Sequence, residues 1–321
     1  MAFPTITEKY GSLSAVGLAK ELTFGTPVAA TDFLPMSGCT IEADPGLFYP
    51  PVMQGQRDLN IYPLYGQQKN LGAIDGPLFP TNGIPLLVYA LGTDVVTGTS
   101  PYTHTITQAN QLSSLTVEKN LGNFQSEQWA GCRVNKYTLK CANSDSPVEI
   151  TADVIAQSVA ALATPTPIST INELPFVFAE MTLTIMGQVA AQATNLQLDI
   201  ENGLKPTYTF AQSHDPSFIT PVTRKISGTF DVVFDSLNDV NWGFFSKMLA
   251  QTQGSLVILL AHPSSGGSVQ ITLPVINIEK YADDVKMEDV IISSVTFEAA
   301  LDQATGATIS TVVTNSQATA Y

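Results

Sequence analysis

Carboxylates recur at short spacing along this chain, and acid pairs are raw material for acid–base catalysis or cation binding. In SPVEITADVIAQ, Glu149, Thr151 and Asp153 project from one side of an extended strand. Val148, Ile150, Ala152 and Val154 project from the other. Asp199 and Glu201 share a side in NLQLDIEN, and Asp231 and Asp235 do so in KISGTFDVVFD. Glu298 follows Ser294 and Thr296 in DVIISSVTFEAAL. A glycosidase would need two such carboxyls at a separation that sequence does not give. A calcium site would need them clustered in one short DxDxDG-type loop, which is absent. The remaining reading is a solvated face. Because the pattern of acids outward and apolar residues inward recurs on several strands, it describes a surface, and with few lysines that surface is negative.

Other chemistry is poorly supplied. His104, His214 and His262 lie far apart, and no HExxH, GxSxG, phosphate loop or dinucleotide fingerprint is present. Cys39, Cys132 and Cys141 are odd in number and match no zinc spacing, so they read as reduced, buried apolar residues. The residues therefore imply no catalytic centre, no metal and no cofactor.

Composition narrows the partners. Hydrophobic residues make up 44% of the 321, enough for a packed core. Charged residues are 13%, against roughly 25% in ordinary soluble domains. Two readings stand: uncharged surface buried in an assembly, or a low-charge β-sandwich with a Thr/Ser/Gln-rich exterior. With 28 acidic against 14 basic residues, the net charge of −14 opposes a protein that grips phosphates. It is compatible with one that holds DNA at a distance. The start, MAFPTITEKYGSLSAVG, lacks the basic and apolar regions of a signal peptide. IPLLVYAL and SLVILLA are too short to span a bilayer, so a soluble product maturing in cytosol, with no membrane partner, is expected.

The elements that must carry the acids are mainly β. LTVEKN, RVNKYTLKCA, VEITADVIAQ, EMTLTIMG, NLQLDIEN, KISGTFDVVFD, GSLVILLAH, VQITLPVINI and DVIISSVTFEAAL are strand-length and rich in β-branched residues. HPSSGGS reads as a hairpin turn. Helical spacing occurs twice, over 82–91 with Pro85 in the first turn, and over 236–251 at Leu237, Val240, Phe244 and Met248. Ser236 and Asp239 resemble a capping start, and Gly254 closes the second stretch. Strand–helix–strand order repeats in the two halves, with FLPMSGCTIEADPG and DLNIYPLYG set against FVFAEMTLTIMG and NLQLDIEN. Residue identity between the halves is low, so element order carries the suggestion of duplication. The division this implies is an N-terminal arm over 1–34, a first half over 35–161, a linker over 162–170, a second half over 171–302 and a tail over 303–321.

Three short motifs then point to a family. KELTFGTPVAA followed by Phe33-Leu34-Pro35, the stretch SLTVEKN, and GCRVNKYTL resemble, in order, the opening and central strands of major tail tube proteins of long-tailed, siphovirus-like bacteriophages. Ser227-Gly228-Thr229-Phe230 and VTFEAALD also fit, so the resemblance covers nearly the whole chain. It implies a tail-tube β-sandwich with flanking helices, and the repeated element order suggests two tandem copies of that fold in this chain. Subunits would close side by side into rings around a continuous β-barrel, which leaves no free sheet edges. A duplicated chain would need three copies where a single fold needs six, so a trimeric, pseudo-hexameric ring is expected.

Under that resemblance Glu149, Thr151, Asp153, Asp199, Glu201, Asp231, Asp235 and Glu298 would line a channel through which DNA slides without specific binding. Lys136 and Lys140 either pair with those acids or face outward. Ring stacking would use Phe24 and Phe33 from the arm, and Phe48, Tyr49, Val52 and Met53 from DPGLFYPPVMQGQRD, where a monomer would rarely expose such a run. The partners implied are the chain itself, the tape-measure protein, the tail terminator and distal tail proteins, in a virion tail assembled in host cytoplasm. Two rivals remain: a secretion-system-type tube, usually shorter, and a carbohydrate-binding β-sandwich, which would need exposed aromatics near an acid pair.

Overall fold

The computed structural model describes residues 8–53, 55, 57, 62–142, 145–211, 213–239, 242–263, 266–285, 287 and 290–321. Residues 1–7 of the expected arm, positions 54, 56 and 58–61 of the expected loop and strand, Val240 of the expected helix and Ser264 and Ser265 of the hairpin turn lie outside these.

In chain order the first half carries β1 (Ala15–Lys20), β2 (Asp32–Leu34), β3 (Gly38–Cys39), β4 (Glu42–Asp44), β5 (Lys69–Pro77), α1 (Ile84–Leu91), β6 (Gly92–Thr97), β7 (Tyr102–Gln108), β8 (Leu115–Leu121), β9 (Gln125–Ala142), β10 (Glu149–Ala156) and β11 (Ser158–Leu162). The second half carries β12 (Met181–Ile185), β13 (Gln188–Val189), β14 (Ala193–Glu201), β15 (Leu204–Thr207), β16 (Phe218–Pro221), β17 (Lys225–Val233), α2 (Phe244–Leu249), β18 (Gly254–Ala261), β19 (Ser268–Asp284), β20 (Ile292–Ala299) and β21 (Ser310–Asn315). The chain is mainly β, as its alternating patterns predict, and among the described residues every strand pairing is antiparallel.

One layer begins with β3 and β4 on β5 and continues through β10, the C-terminal part of β9, β14, β17, β20 and the C-terminal part of β19. The other layer is in two pieces. β2, β1, β8, the N-terminal part of β9 and β11 form the first. β13, β12, β18, the N-terminal part of β19, β21, β7 and β6 form the second. Strands β9 and β19 each pass from one layer to the other. In β9 the passage falls at Gly131, whose φ of 64° is left-handed and disfavours any side chain. A Cβ there would also run into Gln157.

The pairings run in the same order through both halves. β1–β8–β9–β10–β5–β4 is matched by β12–β18–β19–β20–β17–β14. Even the register slips coincide: β8–β9 slips between Leu115 and Val117, and β18–β19 between Gly254 and Leu256. β10–β9 slips between Asp153 and Val154, and β19–β20 between Ile278 and Lys280. Residue patterns follow the geometry. KNLGAID in β5 and KISGTFD in β17 share Lys-x-x-Gly-x-apolar-Asp, while VNKY in β9 answers IEKY in β19.

One core joins the halves. Ile74, Ile150, Tyr137, Leu139, Leu198, Phe230 and Phe297, all buried, belong to a single cluster. Helix α1 is buried along its whole length, so its terminal carbonyls need protein partners. Asn202 Nδ2 donates to the Ala90 carbonyl at 2.9 Å and Arg224 Nη2 to those of Leu91 and Ala109 at 3.4 and 2.6 Å, so second-half side chains close a first-half helix. In β17, Gly228 faces the Gln197 carbonyl and the Phe297 ring so closely that a Cβ would collide with both. Gly228→Val is expected to cost about 3 kcal/mol through overpacking, read as a lower urea midpoint with unchanged slope.

Several expectations are corrected. Residues 15–20 and 32–34, assigned to the N-terminal arm, are strands of the second layer. Within the segment set apart as a tail, β21 bridges β19 and β7, and Tyr321 is buried with its hydroxyl donating to the Thr81 carbonyl at 3.1 Å. Segment 162–170 begins inside β11 and is held by Glu118, which accepts from the Thr166 N–H at 2.8 Å and hydroxyl at 2.6 Å. Among the described residues, the helix expected over 236–251 forms only over Phe244–Leu249, and Gly243 just before it has a non-helical ψ of 67°.

Candidate functional site

The acidic strands come together. Register places Asp75, Thr151, Thr138, Asp199, Ser227 and Glu298 in one row across β5, β10, β9, β14, β17 and β20. A neighbouring row runs Ala73, Asp153, Lys136, Glu201, Lys225. The next runs Pro77, Glu149, Lys140, Gln197, Thr229, Thr296. Asp231 lies opposite Asn195 and Ser294 on the same side. Directly opposed residues share a face, so Glu149, Thr151, Asp153, Asp199, Glu201, Asp231 and Glu298 form one surface across six strands. The reverse side is the dry core. Asp235 is the exception: β17 ends at Val233, so Asp235 lies in the following exposed loop and has no place in the register.

The lysines are on this same face, each beside acids. Lys136 sits between Asp153 and Glu201 and reaches Asp199 Oδ1 at 3.3 Å. Lys225 approaches Glu298 Oε2 to 2.9 Å. Asp199 also accepts from the Thr138 hydroxyl at 2.6 Å and from Gln197 Nε2 at 3.0 Å. Hydrogen bonds from Lys225 and then Glu279 hold the Glu298 carboxyl below the usual range, and the hydrogen bond between Glu279 and Glu298 pushes Glu279 up. Burial raises Asp153, with Asp75 and Asp199 adding to the rise and Lys136 opposing it.

A raised native pKa means the native state binds the proton more readily than the unfolded chain, so ionisation of Asp153 costs stability as pH rises. Asp153→Asn is therefore expected to raise the melting temperature above the carboxylate's folded pKa. That gain should vanish below the ordinary aspartate pKa, where the wild type is itself protonated. Thermal melts at neutral and acid pH check this. Asp75, Lys225 and the flanking Glu42 and Asp44 were not singled out from sequence; KNLGAID, set beside KISGTFD, was the available signal for Asp75.

The apolar loop lies at one end of this face. Residues 45–68 leave after β4 and return before β5, and residues 202–224, including the β15–β16 hairpin, leave after β14 and return before β17. Both excursions emerge from the same end of the sheet and touch. Tyr208 donates its hydroxyl to the Gln68 carbonyl at 2.6 Å, and the Tyr65 and His214 rings are 6.3 Å apart. Phe48, Tyr49 and Val52 are each more than 40% exposed and Met53 is fully so. Phe210 on the second excursion is also fully exposed, although nothing in its sequence context singles it out. At the opposite end, Val285, Met287 and Val290 stand out around the β19–β20 turn.

Two expected stacking residues are displaced. Phe33 is buried beside Gly17, whose missing side chain makes room for its ring, so it belongs to the core. Phe24 is half-buried, packs with Leu112, Leu204 and Ile219, and lies under the Arg133 guanidinium at 5.1 Å.

Sites of other kinds are poorly furnished. His104 Nδ1 lies 2.9 Å from Asp94 Oδ2 and Nε2 lies 3.0 Å from the Gln317 carbonyl, fully buried. A cleft of about 320 Å³ beside Cys141, Met181, Leu183 and Asn195 has no carboxylate or histidine in its lining. Among the described residues no group of three potential ligands could hold a metal, and no helix is long and apolar enough to cross a membrane. Trp129 is buried and Trp242 packs edge-on to Phe244, so neither offers the open ring a sugar site needs. Cys132 and Cys141 are free and shielded, with burial pushing the Cys141 thiol up to about 11; Cys39 is half-buried.

The family model for phage tail tube proteins matches residues 11–299, nearly the whole of both halves. The chain belongs to the phage tail tube protein family. A search of curated proteins returns no match. As a tail tube protein it has a structural role in the virion tail, and the mainly-β antiparallel fold agrees with that membership. The acidic sheet face and the exposed loops are thus surfaces of a tail tube subunit.

Proposed function

We propose that this tail tube protein carries two tandem copies of one tube fold, closes three to a ring, and stacks those rings into a hollow conduit for DNA, without catalysis. The observation that carries this reading is the polar, predominantly acidic sheet face spanning strands from both halves, backed by a single core. A sheet with one dry face and one wet acidic face, continued around a ring, encloses a negatively lined channel. Carboxylates there repel phosphates, and Lys136 and Lys225 are occupied by acids, so DNA finds no strong foothold.

The coincident pairing order and register slips support the duplication, with the copies beginning at β1 and β12. On this reading the exposed loop around Met53 and the hairpin bearing Phe210 contact the next ring. Assembly proceeds in host cytoplasm, and the tape-measure, terminator and distal tail proteins meet the same inner face and ring ends. Negative-stain electron microscopy of the concentrated chain tests the proposal. Hollow filaments are the expected result, and a monomer that never polymerises would overturn it.

A further inference from the structure

Within the polar-faced layer the two halves are joined by one strand pair among the described residues, β9 with β14; in the other layer β21 pairs with β7. Lys136 lies opposite Glu201 and Thr138 opposite Asp199. That pairing occupies the side of β9 not taken by β10. The corresponding strand of the second half, β19, pairs with β20 through residues 276–284, while its other pairings, to β18 and β21, stop by Ile276. Beyond that point no strand covers its second side among the described residues. The counterpart of β14 is the β3–β4 pair: Leu196 lies opposite Phe230 in KISGTFD, and Cys39 lies opposite Ile74 in KNLGAID. Among the described residues β3 and β4 pair only with β5, so they too present an open edge. The chain therefore ends its polar-faced layer with two unlike edges, and its own interior shows how such edges join.

We infer that neighbouring copies of this chain join by antiparallel pairing of residues 280–283 of β19 with β4 of the next copy, with Lys280 opposite Asp44 and Ala282 opposite Glu42. The register is the internal one transferred. The shared slip in β9 and β19 equates Lys136 with Lys280, and the common placement on β5 and β17 equates Glu201 with Asp44 and Asp199 with Glu42. Charge agrees. Lys280, exposed in the single chain, meets exposed Asp44 and Glu42 as Lys136 meets Glu201 and Asp199. The contact is head-to-tail, so it makes a ring if the rotation closes and removes both sheet edges, which would otherwise template aggregation. This inference rests on the tube reading proposed above.

The test is zero-length carbodiimide cross-linking of wild-type tubes grown from equal amounts of unlabelled and ¹⁵N-labelled chain, read by mass spectrometry. Isotopically mixed peptides joining Lys280 to Asp44 or Glu42 are expected. As a second reading, Ala282→Cys combined with Glu42→Cys should cyclise on oxidation, because directly opposed Cα atoms at about 4.5–5.5 Å fall within disulfide reach. The misregistered pair Ala282→Cys with Asp44→Cys should cross-link at least tenfold less. Tubes in which Lys280 couples only within its own chain, or only to other carboxylates, would overturn the register and leave the tube reading standing. A wild-type chain that forms no tubes would overturn both.

Discussion

Replacing Tyr49, Val52 and Met53 together by serine is expected to leave a folded chain that still forms rings but no long filaments. Met53 is fully exposed and Tyr49 and Val52 are half-exposed in the single chain, outside its buried core, so their loss removes little from that core. Phe48 is left in place because its backbone bridges Leu64 and helps shape the loop. If the three side chains are buried between rings, each contributes about 1.5–3 kcal/mol per copy. Summed over the copies in a ring, that is enough to raise the concentration needed for stacking by at least about a thousandfold, where each 1.4 kcal/mol is a factor of ten. Sedimentation velocity and electron microscopy separate the species. Full-length filaments from the triple variant would remove this loop from the stacking interface.

The second large effect concerns the channel. Glu149→Lys, Thr151→Lys and Asp231→Lys together reverse much of the acidic face, adding about five positive charges per chain, while sparing the carboxylates that hold Lys136 and Lys225. Thr151 and Glu149 sit on β10 and Asp231 on β17, so the new lysines are spread over both halves. Wild-type tubes should retain no duplex DNA at physiological salt. The variant should bind at least a hundredfold more tightly, with affinity falling steeply as salt rises. Location matters as much as affinity: DNA held in a lumen resists nuclease, whereas DNA on an outer wall is digested. Complete digestion of the bound DNA would place this face outside.

Much of this was legible in the sequence because strand alternation is local. VEITADVIAQ and NLQLDIEN announce a dry side and an acidic side, and both sit in the sheet as their period requires. The all-apolar run IPLLVYAL gives the helix of that segment. What sequence did not show depends on distant partners. Asp235 follows the same spacing as Asp231, yet the strand stops two residues before it. Phe33 looks like an exposed arm residue until Gly17, on the strand beside it, is seen to leave space for its ring. The tail 303–321 is almost uncharged and β-prone, which suits a free segment as well as a strand; only β7 and β19 on either side decide it. The pairing of β9 with β14, which fuses the halves, joins residues about sixty positions apart and has no local signal.

The central claim is the two-copy chain closing a ring with three members, and the mass of the smallest closed ring tests it most directly. Native mass spectrometry of rings released from the tube should give about three times the 34.3 kDa chain mass. A ring of six chains would contradict the account: the chain would still build a tube, but each copy would supply one fold to it.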